Sequence, residues 1–129
     1  MSAVTTHILD TVLGEPAAGV VVRLEHVGAA EIGRGRTGPD GRIADLGPAM
    51  LPAGTYRLVF ETGAYLRAVH PGAGTGHPGG GTGSGTTGGP GGPAFFPEVV
   101  ITFTADGARP HYHVPLLLSP FAYSTYRGS

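Results

Sequence analysis

The sequence predicts an all-β fold: a two-sheet β-sandwich of seven to eight short strands with one short helix. Three observations carry that expectation. Short runs alternate apolar and polar side chains with the period of two that a half-buried strand requires. Turn sequences built on Gly, Pro and Asp separate these runs at close intervals. The chain is 129 residues long, 40% hydrophobic and only 13% charged, which suits one compact core and leaves no room for two.

Taken in order, residues 4–12 mix β-branched and polar side chains and form the first run. His7 shares a strand face with Thr5 and Leu9, in a segment apolar enough for that face to look toward the core. Gly14-Glu15-Pro16 reads as the turn that follows. Residues 19–27 are rich in Val and form the next run. Gly38-Pro39-Asp40-Gly41 is a strong turn, because Pro presets φ and Gly tolerates a positive one. Arg42 leaves that turn and begins a further strand. Leu51-Pro52-Ala53-Gly54 leads into residues 55–61, where Tyr56, Leu58 and Phe60 share a face. The spacing then predicts a helix over Thr62–Val69 with Thr62 as its N-cap. Residues 99–104 group Val99, Ile101 and Phe103, and the run Tyr112–Leu118 groups Tyr112, Val114, Leu116 and Leu118. Pro115 lies inside the latter and has no N–H to give a ladder, which predicts an edge strand or a bulge. Ser119-Pro120 precedes a last strand over 121–126.

Between the helix and the later strands, residues 71–93 hold 12 of the 24 glycines. Such a segment has almost nothing to bury against the roughly 1–2 kcal/mol per residue that ordering a backbone costs. It reads as a flexible insertion loop. The 36 residues after it are too few for a core of their own. Residues 1–129 are therefore expected to form a single domain with 71–93 as an insertion, since loop closure costs only the logarithm of length.

Composition excludes several function classes. A formal net charge of −1 offers no basic stripe for nucleic acid and no pull toward an anionic membrane. No apolar run approaches the ~20 residues of a membrane span, and residues 1–10 lack a secretory signal layout, so a cytoplasmic location is expected. Cysteine is absent, which excludes disulfides, thiolate catalysis and cysteine-ligated zinc. All eight basic residues are Arg, which excludes a Schiff-base lysine. No phosphate-binding loop or nucleophile elbow has the required setting.

Chemistry must then rest on the six histidines and the arginines. His70 and His77 fall at or within the glycine tract and read as exposed loop residues. His26 ends a strand and is assigned no role. His111 and His113 are two apart and share a face of one strand. On spacing alone that pair is either two surface histidines or, with His7, a metal-binding set. Histidine is equally the proton carrier suited to neutral pH. The C-terminal stretch is unusual, because an aromatic-rich strand runs almost to the last residue. Residues Tyr126 to Ser129 either close a sheet or line a pocket.

Thr6-His7-Ile8-Leu9-Asp10, Asp40-Gly41-Arg42, Phe95-Phe96-Pro97-Glu98 and the stretch from His111 to the tail Tyr126-Arg127-Gly128-Ser129 together resemble the 5-hydroxyisourate hydrolases, the enzyme branch of the transthyretin family. The similarity spans the chain except about residues 71–93, and the tail is its most specific element. The resemblance implies a transthyretin-like two-sheet sandwich and a homotetramer, a dimer of dimers with sites in the channel between dimers. It implies ring opening of 5-hydroxyisourate by water, a step of urate breakdown, with no metal and no organic cofactor. His7, Arg42 and His113 match the family's site positions.

On that basis the expected catalytic residues are His7, Arg42, His113 and Ser129. His7 and His113 handle the proton of the attacking water, in an order the sequence leaves open. Arg42 binds substrate oxygens and steadies the oxyanion. Ser129 orients a histidine, and Tyr126, with Arg42 and His7, contacts the substrate. The alternative expectation is a transthyretin-like carrier of a small molecule, which would want an apolar channel. The glycine tract departs from the family pattern.

Overall fold

The computed structural model describes residues 2–73 and 93–128. Most of the glycine tract, His77 and Ser129 lie outside the described residues. Among the described residues nine strands form two sheets, with one short α-helix between the sixth and seventh. They are β1 (Val4–Asp10), β2 (Glu15–Pro16), β3 (Val21–His26), β4 (Glu31–Arg36), β5 (Arg42–Ile43), β6 (Gly54–Glu61), α1 (Thr62–Val69), β7 (Val99–Ala105), β8 (Tyr112–Leu118) and β9 (Tyr123–Thr125).

One sheet runs β2-β1-β8-β9, with β5 also pairing along β1. The other runs β4-β3-β6-β7. β1 and β8 are parallel neighbours, so segments from opposite ends of the chain form the centre of the first sheet. The remaining pairings are antiparallel. Alternation decides the core. Val4, Thr6, Ile8 and Asp10 of β1 are buried, as are Leu58 and Phe60 of β6 and Leu116 and Leu118 of β8. A fully buried side chain of that size contributes roughly 1.5–3 kcal/mol.

Outside the candidate site the structure departs from the sequence reading in five places. Glu15–Pro16 is a short strand, not only a turn. β4 has no counterpart in the strands expected from pattern: Gly33 and Gly35 interrupt its alternation, Gly33 because the loop at Gly47 crosses it and Gly35 because the Ile43 side chain of β5 packs on it. A Cβ on Gly33 would lie 2.6 Å from the Gly47 Cα. Thr62 is the first helical residue and not the N-cap. Its hydroxyl donates to the Phe96 carbonyl at 2.7 Å, and the Gly63 N–H donates to Pro97 at 2.8 Å. The segment that follows the glycine tract therefore caps the helix that precedes it. Pro115 sits in an interior strand, not at an edge. Its carbonyl accepts the Thr125 hydroxyl at 2.6 Å, so its nitrogen faces the β9 side, where pairing lapses between Thr125 and Gly128. The missing N–H thus costs no ladder bond.

The fifth concerns His70, which is not a free loop residue. Its Nε2 lies 2.6 Å from Asp10 Oδ2, and the Tyr65 hydroxyl donates to the same oxygen at 2.7 Å. Asp10 Oδ1 accepts the N–H groups of Val12 and Leu13 at 3.0 Å. Burial alone would raise this carboxyl's pKa, but the hydrogen bonds from Tyr65, His70 and Leu13 outweigh it and hold the group below its ordinary range. The cluster ties the helix end to the end of β1.

Candidate active site

The site is built on the outer face of the five-stranded sheet. On β1 the buried residues alternate with Thr5, His7 and Leu9, so His7 looks away from the core, contrary to the expectation from local hydrophobicity. Cross-strand partners share a face. His7 stands opposite Arg42 on β5, and Thr5 stands opposite His113 on β8. His7, Arg42, Thr5 and His113 consequently project on one side, with His7 and His113 diagonal neighbours at roughly 7–8 Å between Cα atoms.

Arg42 is aimed by its turn. The Gly41 N–H donates to Gly38 at 2.8 Å, and the Asp40 carboxylate accepts the Arg42 N–H at 3.0 Å. Gly41 has φ +74°, and a Cβ there would lie 2.5 Å from the Ile8 carbonyl. Only glycine lets β5 come this close to β1, and that approach sets Arg42 across from His7.

His113 is held from three sides. Its Nδ1 lies 2.8 Å from Thr5 Oγ1, and its carbonyl accepts the Gly128 N–H at 2.8 Å. Its ring packs so closely on Gly128 that a Cβ there would stand 2.5 Å from Cδ2. His111 shares the same hydroxyl, Nε2 to Thr5 Oγ1 at 2.9 Å, and its ring stacks on that of His113 at 6.3 Å between centroids. Burial lowers the His113 pKa below the usual imidazole value, and the charges of Arg42, His111 and His7 lower it further. The imidazole is therefore neutral at pH 7.

A shallow groove of about 290 Å³ opens here, lined by Thr5, Thr6, Arg42, Ile43, His111 and His113, with Ala44 at its side. Its functional groups are a guanidinium, neutral imidazole and a hydroxyl, a set suited to moving a proton beside a developing negative charge. His7 is not among the lining residues, and neither is Tyr126. Tyr126 is 58% exposed and borders a separate groove of about 260 Å³ with Ile101, Phe103 and Tyr112. Among the described residues no three His, Asp or Glu side chains converge as metal ligands would, His7, His111 and His113 included.

A model of the HIUase/Transthyretin family matches residues 4–128. The chain belongs to that family. A 5-hydroxyisourate hydrolase of Caulobacter vibrioides is 39% identical over 133 residues, covering 100% of both chains. The 5-hydroxyisourate hydrolase 2 of Rhizobium meliloti is 44% identical over 132 residues, covering 97% of this chain and 94% of that one. Among solved structures, Klebsiella pneumoniae 5-hydroxyisourate hydrolase superposes with a TM-score of 0.74 at 36% identity, covering 99% of this chain and 100% of that one. Sea bream transthyretin in complex with thyroxine gives 0.73 at 30%, covering 98% and 94%. The transthyretin-like sandwich expected from the sequence is thus the fold.

Two residues of the site were not singled out from sequence. Thr5 carries a visible signal, since it lies two positions before His7 on the same strand face. Gly128 carries one only as part of the tail Tyr126–Ser129, and its contact with His113 is not readable from pattern.

Proposed function

We infer that this chain is a 5-hydroxyisourate hydrolase in urate degradation, and that His7, Arg42 and His113 carry the reaction. The observation behind the reading is a firmly held imidazole, His113, in the same groove as the Arg42 guanidinium. The bond to be broken is a cyclic amide-like C–N bond. Water attacks the carbonyl carbon and gives up a proton to a histidine, and the product is 2-oxo-4-hydroxy-4-carboxy-5-ureidoimidazoline.

His113 serves as the base. A lowered pKa leaves its lone pair free at neutral pH, and with Nδ1 engaged by Thr5, Nε2 is the nitrogen available to the groove. The negative charge growing on the carbonyl oxygen is met by Arg42, whose planar fork can hold two substrate oxygens at once. His7, opposite Arg42, is placed to hydrogen-bond the substrate and to help hold the water whose proton His113 takes. Ser129 is proposed to orient a histidine of this site. Tyr126 is proposed to contact the substrate in an assembled tetramer. The edge strand β9, exposed at each of its three residues, supports such an assembly, because a bare edge calls for a partner. In this reading residues 71–93 are an insertion outside the catalytic machinery.

The carrier alternative is supported by the likeness to sea bream transthyretin. It wants an apolar channel, whereas Arg42, His111 and His113 line this groove. The test is direct: generate 5-hydroxyisourate freshly with urate oxidase and follow its decay with and without the protein. Accelerated decay supports the hydrolase, and decay at the spontaneous rate supports the carrier.

A further inference from the structure

We propose that Thr5 and His111 form a proton relay that connects His113 to bulk solvent, with Thr5 as the residue that sets the His113 tautomer. The inference rests on the hydrolase reading and deepens it. It starts from the hydrogen-bond inventory. One hydroxyl lies 2.8 Å from His113 Nδ1 and 2.9 Å from His111 Nε2. A hydroxyl has one proton to donate and two lone pairs, so at most one of the two rings accepts from it and at least one donates to it; the relay takes the arrangement with one of each. The two imidazoles are therefore coupled, although neither touches the other through a ring nitrogen.

In the base form, His113 carries its proton on Nδ1 and gives it to Thr5, while the Thr5 hydroxyl donates to His111 Nε2. This leaves the His113 Nε2 lone pair for the attacking water. As the water oxygen bonds to the carbonyl carbon, its O–H bond breaks and the proton passes to Nε2. The Nδ1 proton moves to Thr5 Oγ1, the original Thr5 proton moves to His111 Nε2, and His111 releases its Nδ1 proton to solvent. One proton has entered and one has left. When the C–N bond opens, His113 gives its Nε2 proton to the departing nitrogen and the chain runs in reverse, restoring the base form.

The charged surroundings give the relay its purpose. A protonated His113 would sit beside Arg42 on β5, His7 on β1 and His111 ahead of β8, all of which oppose a second positive charge. Burial opposes it as well. His111 is exposed, so a charge delivered there is hydrated. Passing the proton outward spares the site a charge it cannot hold.

The test compares the wild type with Thr5→Val, Thr5→Ser and His111→Ala over pH 5–9, using freshly generated 5-hydroxyisourate. Thr5→Val keeps the shape and removes the hydroxyl. It should lower kcat about 10- to 100-fold, the usual cost of removing a group that orients a working histidine, with KM little changed. Thr5→Ser should restore most of the rate. His111→Ala should lose rate and recover it when imidazole is added, because a free base can take the proton from Thr5. Wild-type kcat and pH profile in Thr5→Val would overturn the relay. So would a Thr5→Ser enzyme as slow as Thr5→Val, which would assign the loss to packing, or a His111→Ala loss that imidazole leaves unrepaired. A wild type that fails to accelerate decay would instead remove the hydrolase reading itself, so the two failures are distinct.

Discussion

Gly128→Ala is a small change with a sharp consequence. The added Cβ would lie 2.5 Å from His113 Cδ2, 3.1 Å from Cγ and 3.2 Å from Cβ. Ordinary contact begins near 3.4 Å, so the ring edge must retreat by about 1 Å. Rotation about χ1 alone does not clear the clash, because the contacts include the root of the side chain. The backbone at residue 128 cannot simply withdraw either, since its N–H is bonded to the His113 carbonyl at 2.8 Å. A retreat of the ring breaks the 2.8 Å contact of Nδ1 with Thr5. A misplacement of about 1 Å at a reacting group typically costs on the order of 100-fold in rate. The assay is the decay of fresh 5-hydroxyisourate at saturating substrate, read beside a urea melt. The expected result is a kcat lower by about two orders of magnitude with the melt almost unmoved. A Gly128→Ala protein that turns over at the wild-type rate would show that the tail does not fix His113.

Four further outcomes are expected. Arg42→Ala should lower kcat by about 10²–10³, the loss usual for one oxyanion donor, and Arg42→Lys should recover little of it because a point charge lacks the two-pronged geometry. With the His113 pKa lowered, kcat/KM should be flat above the ordinary imidazole value of 6.5 and fall only below it; a midpoint above 7 would contradict the burial argument. Stability tied to His113 has the same sense, complete above its unfolded value and lost as pH drops through the lower folded one. Asp10→Asn should destabilise the fold by about 3 kcal/mol in urea titrations, because it strips the charge from a buried carboxylate shared by Tyr65 and His70. The Asp10 pKa is depressed, so its contribution is present above the unfolded value and lost as pH falls through the folded one. Deleting residues 75–91 should leave kcat unchanged, and a large loss would place the tract in the working machinery.

Much of this arrangement was legible in the sequence, and the limits have a physical cause. The alternation of 55–61 and of Tyr112–Leu118 specified strands and faces, because each strand is packed on one side. The turn at Gly38–Gly41 delivered Arg42 to a strand as expected. What local pattern could not supply was pairing. Whether the His7 face looks in or out depends on which side of β1 meets the opposite sheet, and the segment carries apolar residues on both faces. β4 was hidden because its glycines answer to residues outside the strand, Gly33 to Gly47 14 positions away and Gly35 to the Ile43 side chain. Thr5 meets His113 across 108 positions of sequence, and Asp10 meets His70 across 60. Contacts of that kind follow from the topology of the sheets and not from periodicity. The histidines and Arg42 were found by family resemblance, because their spacing alone also fits surface residues.

The most direct measurement sets progress curves of fresh 5-hydroxyisourate for the wild type beside those for His113→Asn at equal folded concentration. A general base contributes about 10²–10⁴-fold, so the variant should fall toward the spontaneous rate while the wild type clears the substrate well ahead of it. Equal curves for the two proteins would contradict the assignment of proton transfer to this imidazole and, with it, the catalytic groove described above.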